Sequence, residues 1–175
     1  SATVAPLSGV QEADAFVPEK IIVGDETVFD ASKFAGYVSY HWDFGDGNQA
    51  DGVKVEHKYE KLDRYLVVLI LTDKFGLEIK KTYQVDVVPP EPKLIRVKTE
   101  KTNITVWGES YPGTELILHI ESEPFETKTI SDADGRYKLS FDFRDTGLGY
   151  GEHKLSLVAA QKTEENLLLA SEPNY

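Results

Sequence analysis

One stretch of this 175-residue chain restricts its folding more than any other: Tyr40-His41-Trp42-Asp43-Phe44-Gly45-Asp46-Gly47. In an extended strand, side chains alternate between two faces. Tyr40, Trp42 and Phe44, with Val38 before them, therefore fall on one face, and His41 and Asp43 on the other. Gly45 and Gly47 bracket Asp46, and an Asp-Gly pair supplies the positive-φ geometry that closes a hairpin. The block predicts a strand running into a tight turn. It holds no arrangement of groups that suggests catalysis.

The same grammar runs along the chain. Lys20-Ile21-Ile22-Val23 predicts a first strand, Gly24-Asp25-Glu26 a turn, and Thr27-Val28-Phe29-Asp30-Ala31 a second strand. After Asp51-Gly52, the residues Val53, Val55 and His57 alternate again. Tyr65 to Thr72 is the richest strand in β-branched and aromatic residues. Asp73-Lys74-Phe75-Gly76 turns it into Leu77 to Val88, where Tyr83, Val85 and Val87 share a face. Even strand spacing without a helical period predicts an all-β sandwich.

Pro89-Pro90-Glu91-Pro92 marks a boundary, because three prolines in four residues cannot sit inside a sheet. Such a segment is a short, stiff connector. Beyond it, Leu94, Arg96 and Lys98 alternate with Ile95, Val97 and Thr99. Further strands are expected at Asn103 to Gly108, Leu116 to Ile120, Glu126 to Ile130, His153 to Ala160 and Asn166 to Ala170. Another is expected with Tyr137, Leu139, Phe141 and Phe143 on one face. The resulting division is an extended lead-in over 1–19, a sandwich over 20–88, the linker 89–92 and a second sandwich over 93–175. The lead-in either packs along the first sandwich or docks onto a neighbouring copy.

Composition narrows the function classes. With 19 Lys and Arg against 30 Asp and Glu, the net charge is −11, which disfavours nucleic acid and anionic lipid as partners. Absence of cysteine removes disulfides, thiolate metal sites and cysteine catalysis. Without any methionine, position 1 is not a natural start, so a processed protein or a fragment is expected. No apolar run is long enough to span a bilayer as a helix.

Residues 22–88 resemble the PKD (polycystic kidney disease) domain, an immunoglobulin-like sandwich. The resemblance is carried by Val28-Phe29-Asp30-Ala31-Ser32, Tyr40 to Gly47, His57-Lys58-Tyr59 and Tyr65 to Asp73 ending in Leu71-Thr72-Asp73. Residues 95–171 resemble a bacterial immunoglobulin-like surface domain, through Gly108, Pro112-Gly113, Asp132-Ala133-Asp134-Gly135-Arg136-Tyr137 and Gly151-Glu152-His153. These resemblances imply two tandem immunoglobulin-like β-sandwiches in an extracellular, prokaryotic setting, used as spacers, adhesion domains or accessory domains of hydrolases. They also imply that a calcium ion is a conceivable cofactor, since some PKD domains bind one near their turns.

Four groups of residues are worth locating. Asp30, Asp43, Asp46 and Asp73 offer the carboxylate oxygens that hard cations take, though Asp at such positions also closes Asx-turns on local N–H groups. Leu66, Val68 and Ile70 occupy outward positions of their strand, where the PKD pattern carries threonine. They form either an interface or a surface covered by neighbouring side-chain stems. Trp107, Tyr111 and Tyr150 could form an aromatic platform for sugar rings, or simply pack at an edge. Asn103-Ile104-Thr105 is a glycosylation acceptor sequence. No catalytic residue is expected, and His41, His57, His119 and His153 read as ordinary structural residues. The expected role is a non-enzymatic structural or adhesion module of a cell-surface protein or filament, working through protein contacts or self-association. The alternative is an accessory polysaccharide- or protein-binding domain of a secreted hydrolase.

Overall fold

The structure is a computed structural model, and it describes residues 14–120, 125–149, 153–163 and 167–175. The strands in chain order are β1 (Lys20–Ile22), β2 (Glu26–Asp30), β3 (Tyr37–Asp43), β4 (Gln49–Asp51), β5 (Lys54–Lys58), β6 (Asp63–Asp73) and β7 (Glu78–Val88). After the prolines come β8 (Lys93–Glu100), β9 (Asn103–Glu109), β10 (Glu115–Ile120), β11 (Phe125–Ile130), β12 (Arg136–Asp142), β13 (Leu155–Lys162) and β14 (Leu168–Ala170). The fold is all-β, with immunoglobulin-like sandwiches. Among the described residues the only helical element is a 3-10 turn at Phe143–Thr146. Phe143 thus leaves the strand on which alternation placed it. Asp142 caps that turn by accepting the Arg144 N–H, and Gly147 ends it at φ +74°.

Sheet order is β1-β7-β6-β3-β4 for the larger sheet before the prolines and β2-β5 for the smaller one. After them the sheets are β11-β10-β13-β14 and β12-β9-β8. By compactness the chain divides into two units. One gathers the segment ending at Pro18 with Glu26–His57 and Leu66–Tyr83. The other gathers Glu19–Asp25, Lys58–Tyr65 and Gln84–Tyr175.

In the first unit, β3 runs antiparallel to β6 from Tyr37↔Asp73 to Asp43↔Val68, with a bulge between Tyr37 and Ser39. The bulge corrects one sequence expectation: Val38 leaves the face of Trp42 and is 67% exposed. Trp42, Phe29 and Phe44 are fully buried or nearly so, in edge-to-face contact at 5.8 and 5.1 Å. Side chains of this size stabilise by about 1.5–3 kcal/mol each when buried, and such aromatic pairs add about 0.5–1.5 kcal/mol. Val67, Leu69 and Leu71 complete the core from β6. The described part of the lead-in packs on its own chain. Phe16 exchanges backbone hydrogen bonds with Asp30 at 2.8 and 3.1 Å, and the Tyr83 hydroxyl donates to Asp14 at 2.5 Å. Burial, with that carboxylate beside it, pushes the Tyr83 phenol up to about 12.

In the second unit, β1 pairs in parallel with the end of β7, from Lys20↔Asp86 to Ile22↔Val88. Tyr59 and Tyr65 stack at 4.5 Å. A core of Val106, Leu116, Leu118, Ile120, Tyr137, Leu139, Phe141, Leu157 and Ala159 fills the later sheets. Strand β8 carries a bulge between Leu94 and Arg96, so Leu94 joins Val97 and Thr99 on the inner side while Lys93 joins Arg96 and Lys98 on the outer. The simple alternation read from the sequence fails at that residue. Gly108 holds a tight crossing: a Cβ there would lie 2.0 Å from the Lys93 carbonyl oxygen and 2.3 Å from the Tyr137 hydroxyl, which itself donates to that carbonyl at 3.0 Å.

Gly108→Ala is therefore expected to destabilise the chain far more than Tyr137→Phe. The latter loses one hydrogen bond, worth about 0.5–1.5 kcal/mol; the former must displace backbone. Urea denaturation of the two variants checks the order, and a Gly108→Ala protein as stable as the wild type would contradict the packing.

Candidate functional site

The turn after β3 is built from its own carboxylates. Asp43 accepts from the Gly45 N–H at 2.9 Å and from the Gln49 amide at 3.0 Å. Asp46 accepts from the Asn48 N–H at 3.0 Å, from the Asn48 amide at 3.1 Å, and from His57 Nε2 at 2.8 Å. An ionised carboxylate has no proton to give, so Nε2 must carry the hydrogen. The His57 ring lies flat on Phe44 at 4.0 Å, with its side chain only 10% exposed. Gly45 adopts φ +78°, and a Cβ there would meet the Leu66 carbonyl at 2.6 Å, so only glycine fits. Trp42 donates its indole N–H to the Gly52 carbonyl at 3.0 Å.

Burial raises the pKa of Asp46, but the hydrogen bonds from Asn48 and His57 outweigh it and leave the group below its ordinary value. Asp43 is also lowered, chiefly by the Gly45 N–H and the Gln49 amide. Asp30 is lowered to about 2 by hydrogen bonds from Ser32 and then from Lys54. Asp73 closes the β6–β7 turn by accepting from the Phe75 and Leu77 N–H groups at 2.8 and 2.9 Å.

These placements bear directly on calcium. Asp73 pairs with Tyr37 at one end of β3, whereas Asp43 lies at the other end, six residues on. Asp30 is engaged by Ser32 and Lys54. Of the four carboxylates expected as a donor set, Asp43 and Asp46 share one turn, while Asp30 and Asp73 lie elsewhere with their own partners. Among the described residues, no group of three or more His, Asp or Glu is arranged to hold a metal. As placed, the four aspartates do not converge on one point, and no chemistry is derived through a calcium ion.

The outward row on β6 lies where alternation placed it. Leu66 is 58% exposed, while Val68 and Ile70 are half-buried opposite Asp43 and His41. Trp107 faces outward on β9, half-buried, with Arg96 and Lys138 over its ring at 5.3 and 5.7 Å. Tyr111 sits in the turn after β9, where its carbonyl accepts from Thr114 and Ser131 at 2.7 Å each. Tyr150 lies outside the described residues, so a three-ring platform is not described. The histidines are spread out: His41 pairs with Asp51 at 2.7 Å, His119 with Glu126 at 3.4 Å, and His153 meets the Gly149 carbonyl at 3.0 Å. Sequence reasoning missed the two cations at Trp107, because they reach it across strands. It also missed Phe75, which is 83% exposed at the tip of the β6–β7 turn and was read only as part of that turn.

Residues 11–87 match the PKD domain family. That stretch is similar to a PKD domain. The chain is similar to collagenase ColA of Clostridium perfringens, at 33% identity over 131 residues; the alignment takes in 73% of this chain and 11% of that protein. A two-domain fibronectin type III segment of chicken tenascin is similar in fold, with a TM-score of 0.50, 13% identity, and coverage of 92% of this chain and 93% of that one. No helix among the described residues is long and apolar enough to cross a membrane.

A carboxylate whose folded pKa is depressed stabilises the fold above its unfolded pKa, and that contribution is lost as pH falls through the folded value. Asp46 is such a group. Asp46→Asn should lower stability at neutral pH by about 1.5–3 kcal/mol, the range for a hydrogen bond to a charged group. The gap to wild type should close as both are acidified below the carboxylate range. Denaturation midpoints against pH measure this, and a gap that stays constant into acid would refute the role given to the carboxylate.

Proposed function

We propose that this chain is a non-catalytic module of a larger extracellular prokaryotic protein, acting by rigid spacing and by contact through its sheet faces. The observation that carries this reading is how the polar groups of the PKD domain are used. Asp30, Asp43, Asp46 and Asp73 each accept from the backbone N–H of a nearby residue within their own turn. Carboxylates committed to turn closure fix the loops, and they are spread over the domain rather than converging on one point as an acid–base pair would. The similarity to a segment of collagenase ColA supports an accessory position beside a catalytic body, and the sandwiches support a spacing or adhesion role.

The contact surface we assign is the outward row Leu66, Val68 and Ile70. Threonine at these positions would satisfy a solvated sheet equally well by propensity. Aliphatic residues in a row on an outer face are better explained by a protein partner or a second copy.

A Leu66→Thr/Ile70→Thr variant should keep the wild-type melting behaviour within a few degrees, since neither side chain belongs to the core. Its association, with itself or within the parent protein, should weaken measurably in sedimentation velocity. Unchanged association would remove the assigned surface while leaving the fold intact.

A further inference from the structure

We propose that the outward face of the β12-β9-β8 sheet binds an anionic polysaccharide. This goes beyond the spacing role and does not rest on it. The register lays four rows across the three strands: Lys93–Glu109–Arg136, Arg96–Trp107–Lys138, Lys98–Thr105–Ser140 and Glu100–Asn103–Asp142. Burial alternates along β12, with Arg136, Lys138 and Ser140 exposed and Tyr137, Leu139 and Phe141 buried, and every residue of β8 is exposed. The face therefore presents two rails of cations, Lys93, Arg96 and Lys98 on one side and Arg136 and Lys138 on the other. Between them runs a central strand bearing Trp107 and Thr105.

Charge is what singles the face out. The whole chain carries −11, yet the two middle rows hold three cations and no carboxylate. Glu109, Glu100 and Asp142 stand only in the end rows. Lys98 pairs with Glu100, and Arg136 reaches Asp134 at 3.3 Å. Among the described residues neither Arg96 nor Lys138 is paired with a carboxylate. Both instead lie over the Trp107 ring. A guanidinium stacked on an aromatic ring keeps its N–H edge available for a planar oxyanion.

The remaining chemistry favours a glycan over an acidic peptide. The exposed part of the indole offers an apolar surface for the C–H face of a sugar ring. Beside it, the Ser140 hydroxyl donates to Thr105 at 2.9 Å, giving a hydroxyl pair suited to sugar hydroxyls. A peptide would add to the free edge of β8 through backbone hydrogen bonds, and the bulge at Ile95 interrupts that edge. A linear polymer with a carboxylate or sulfate on successive sugars can lie along β9 with its charges against both rails.

The test uses the whole chain. It has two tryptophans, and Trp42 is fully buried, so a fluorescence change on titration reports Trp107. Polygalacturonate and dextran sulfate should each shift the emission at low ionic strength, with the affinity falling as salt is added, while neutral dextran should leave it unchanged. Arg96→Glu/Lys138→Glu should weaken binding by about tenfold or more, with the thermal unfolding curve retained. Arg96→Gln, a milder change, should weaken it by a smaller factor. Trp107→Phe, followed by calorimetry, should lose affinity although the charge is unaltered. The proposal is overturned if neither anionic glycan binds, if charge reversal leaves binding unchanged, or if poly-glutamate binds as tightly as polygalacturonate. The last outcome would make the face a general acidic-polymer or acidic-peptide surface. None of these results depends on whether the Leu66 row makes protein contacts.

Discussion

The contact between His57 and Asp46 holds the first sandwich together at its rim. Asp46 comes from the turn that ends β3, a strand of the larger sheet, while His57 comes from β5, in the two-stranded sheet. A 2.8 Å bond therefore ties the two layers of one sandwich at the rim. Phe44, stacked under the imidazole at 4.0 Å, fixes the ring plane and lets the histidine serve as a core residue on one face and a polar residue at its edge. Breaking a well-shielded pair by removing one partner costs more than the pair contributes net, because the other is left desolvated. The Gly45 backbone, pressed against Leu66, supplies the remaining constraint. Trp42 then has one position open to it, between Phe29 and the Gly52 carbonyl.

That arrangement also shows how the aspartates close their turns. A tight turn with several N–H groups pointing inward needs acceptors, and a neighbouring carboxylate satisfies two or three at once. Asp132 repeats the device in the β11–β12 turn, accepting from Asp134 and Arg136 at 2.9 and 2.8 Å. The sequence spacing that suggests a metal loop and the one that suggests an Asx-turn are alike, because both need oxygen atoms converging on a compact bend. Only coordinates separate the two.

Strand identity was legible wherever β-branched and aromatic residues alternate, as in Tyr65 to Thr72, and the inward set Val67, Leu69 and Leu71 was read in the right phase. What escaped detection is local irregularity. The bulges at Val38 and Ile95 change the phase by one residue, and nothing in side-chain type announces an inserted residue. Strand β4, Gln49-Ala50-Asp51, carries no β-propensity. It forms because Trp42 and its neighbours on β3 offer an edge to pair with. The 3-10 turn at Phe143 is set by the Asp142 cap, which competes successfully with strand extension. Of the candidate sites, the Leu66 row followed from period two alone. The Trp107 surroundings did not, because Arg96 and Lys138 are separated from it by 11 and 31 residues and meet it only through sheet register.

Net charge is an average, and the second unit shows how an average misleads. An overall −11 argues against polyanions as partners for the chain taken as a sphere. Ligands, however, respond to the field within about a Debye length, roughly 8–10 Å at ordinary ionic strength. Sheet rows lie about 4.8 Å apart across strands, so Arg96 and Lys138 are separated by about two such spacings and act on one ligand together. The bulge at Ile95 is what makes this possible. Without it, β8 would continue in simple alternation from Leu94, placing Leu94 on the same outer side as Arg96 and Lys98. With the inserted residue, Lys93 extends the outer rail and Leu94 moves to the other face, where it stays 55% exposed. One backbone irregularity therefore moves an apolar side chain off the outer face and concentrates positive charge there. The strand whose side-chain pattern read as simple alternation is the one whose bulge most changes what the surface can bind.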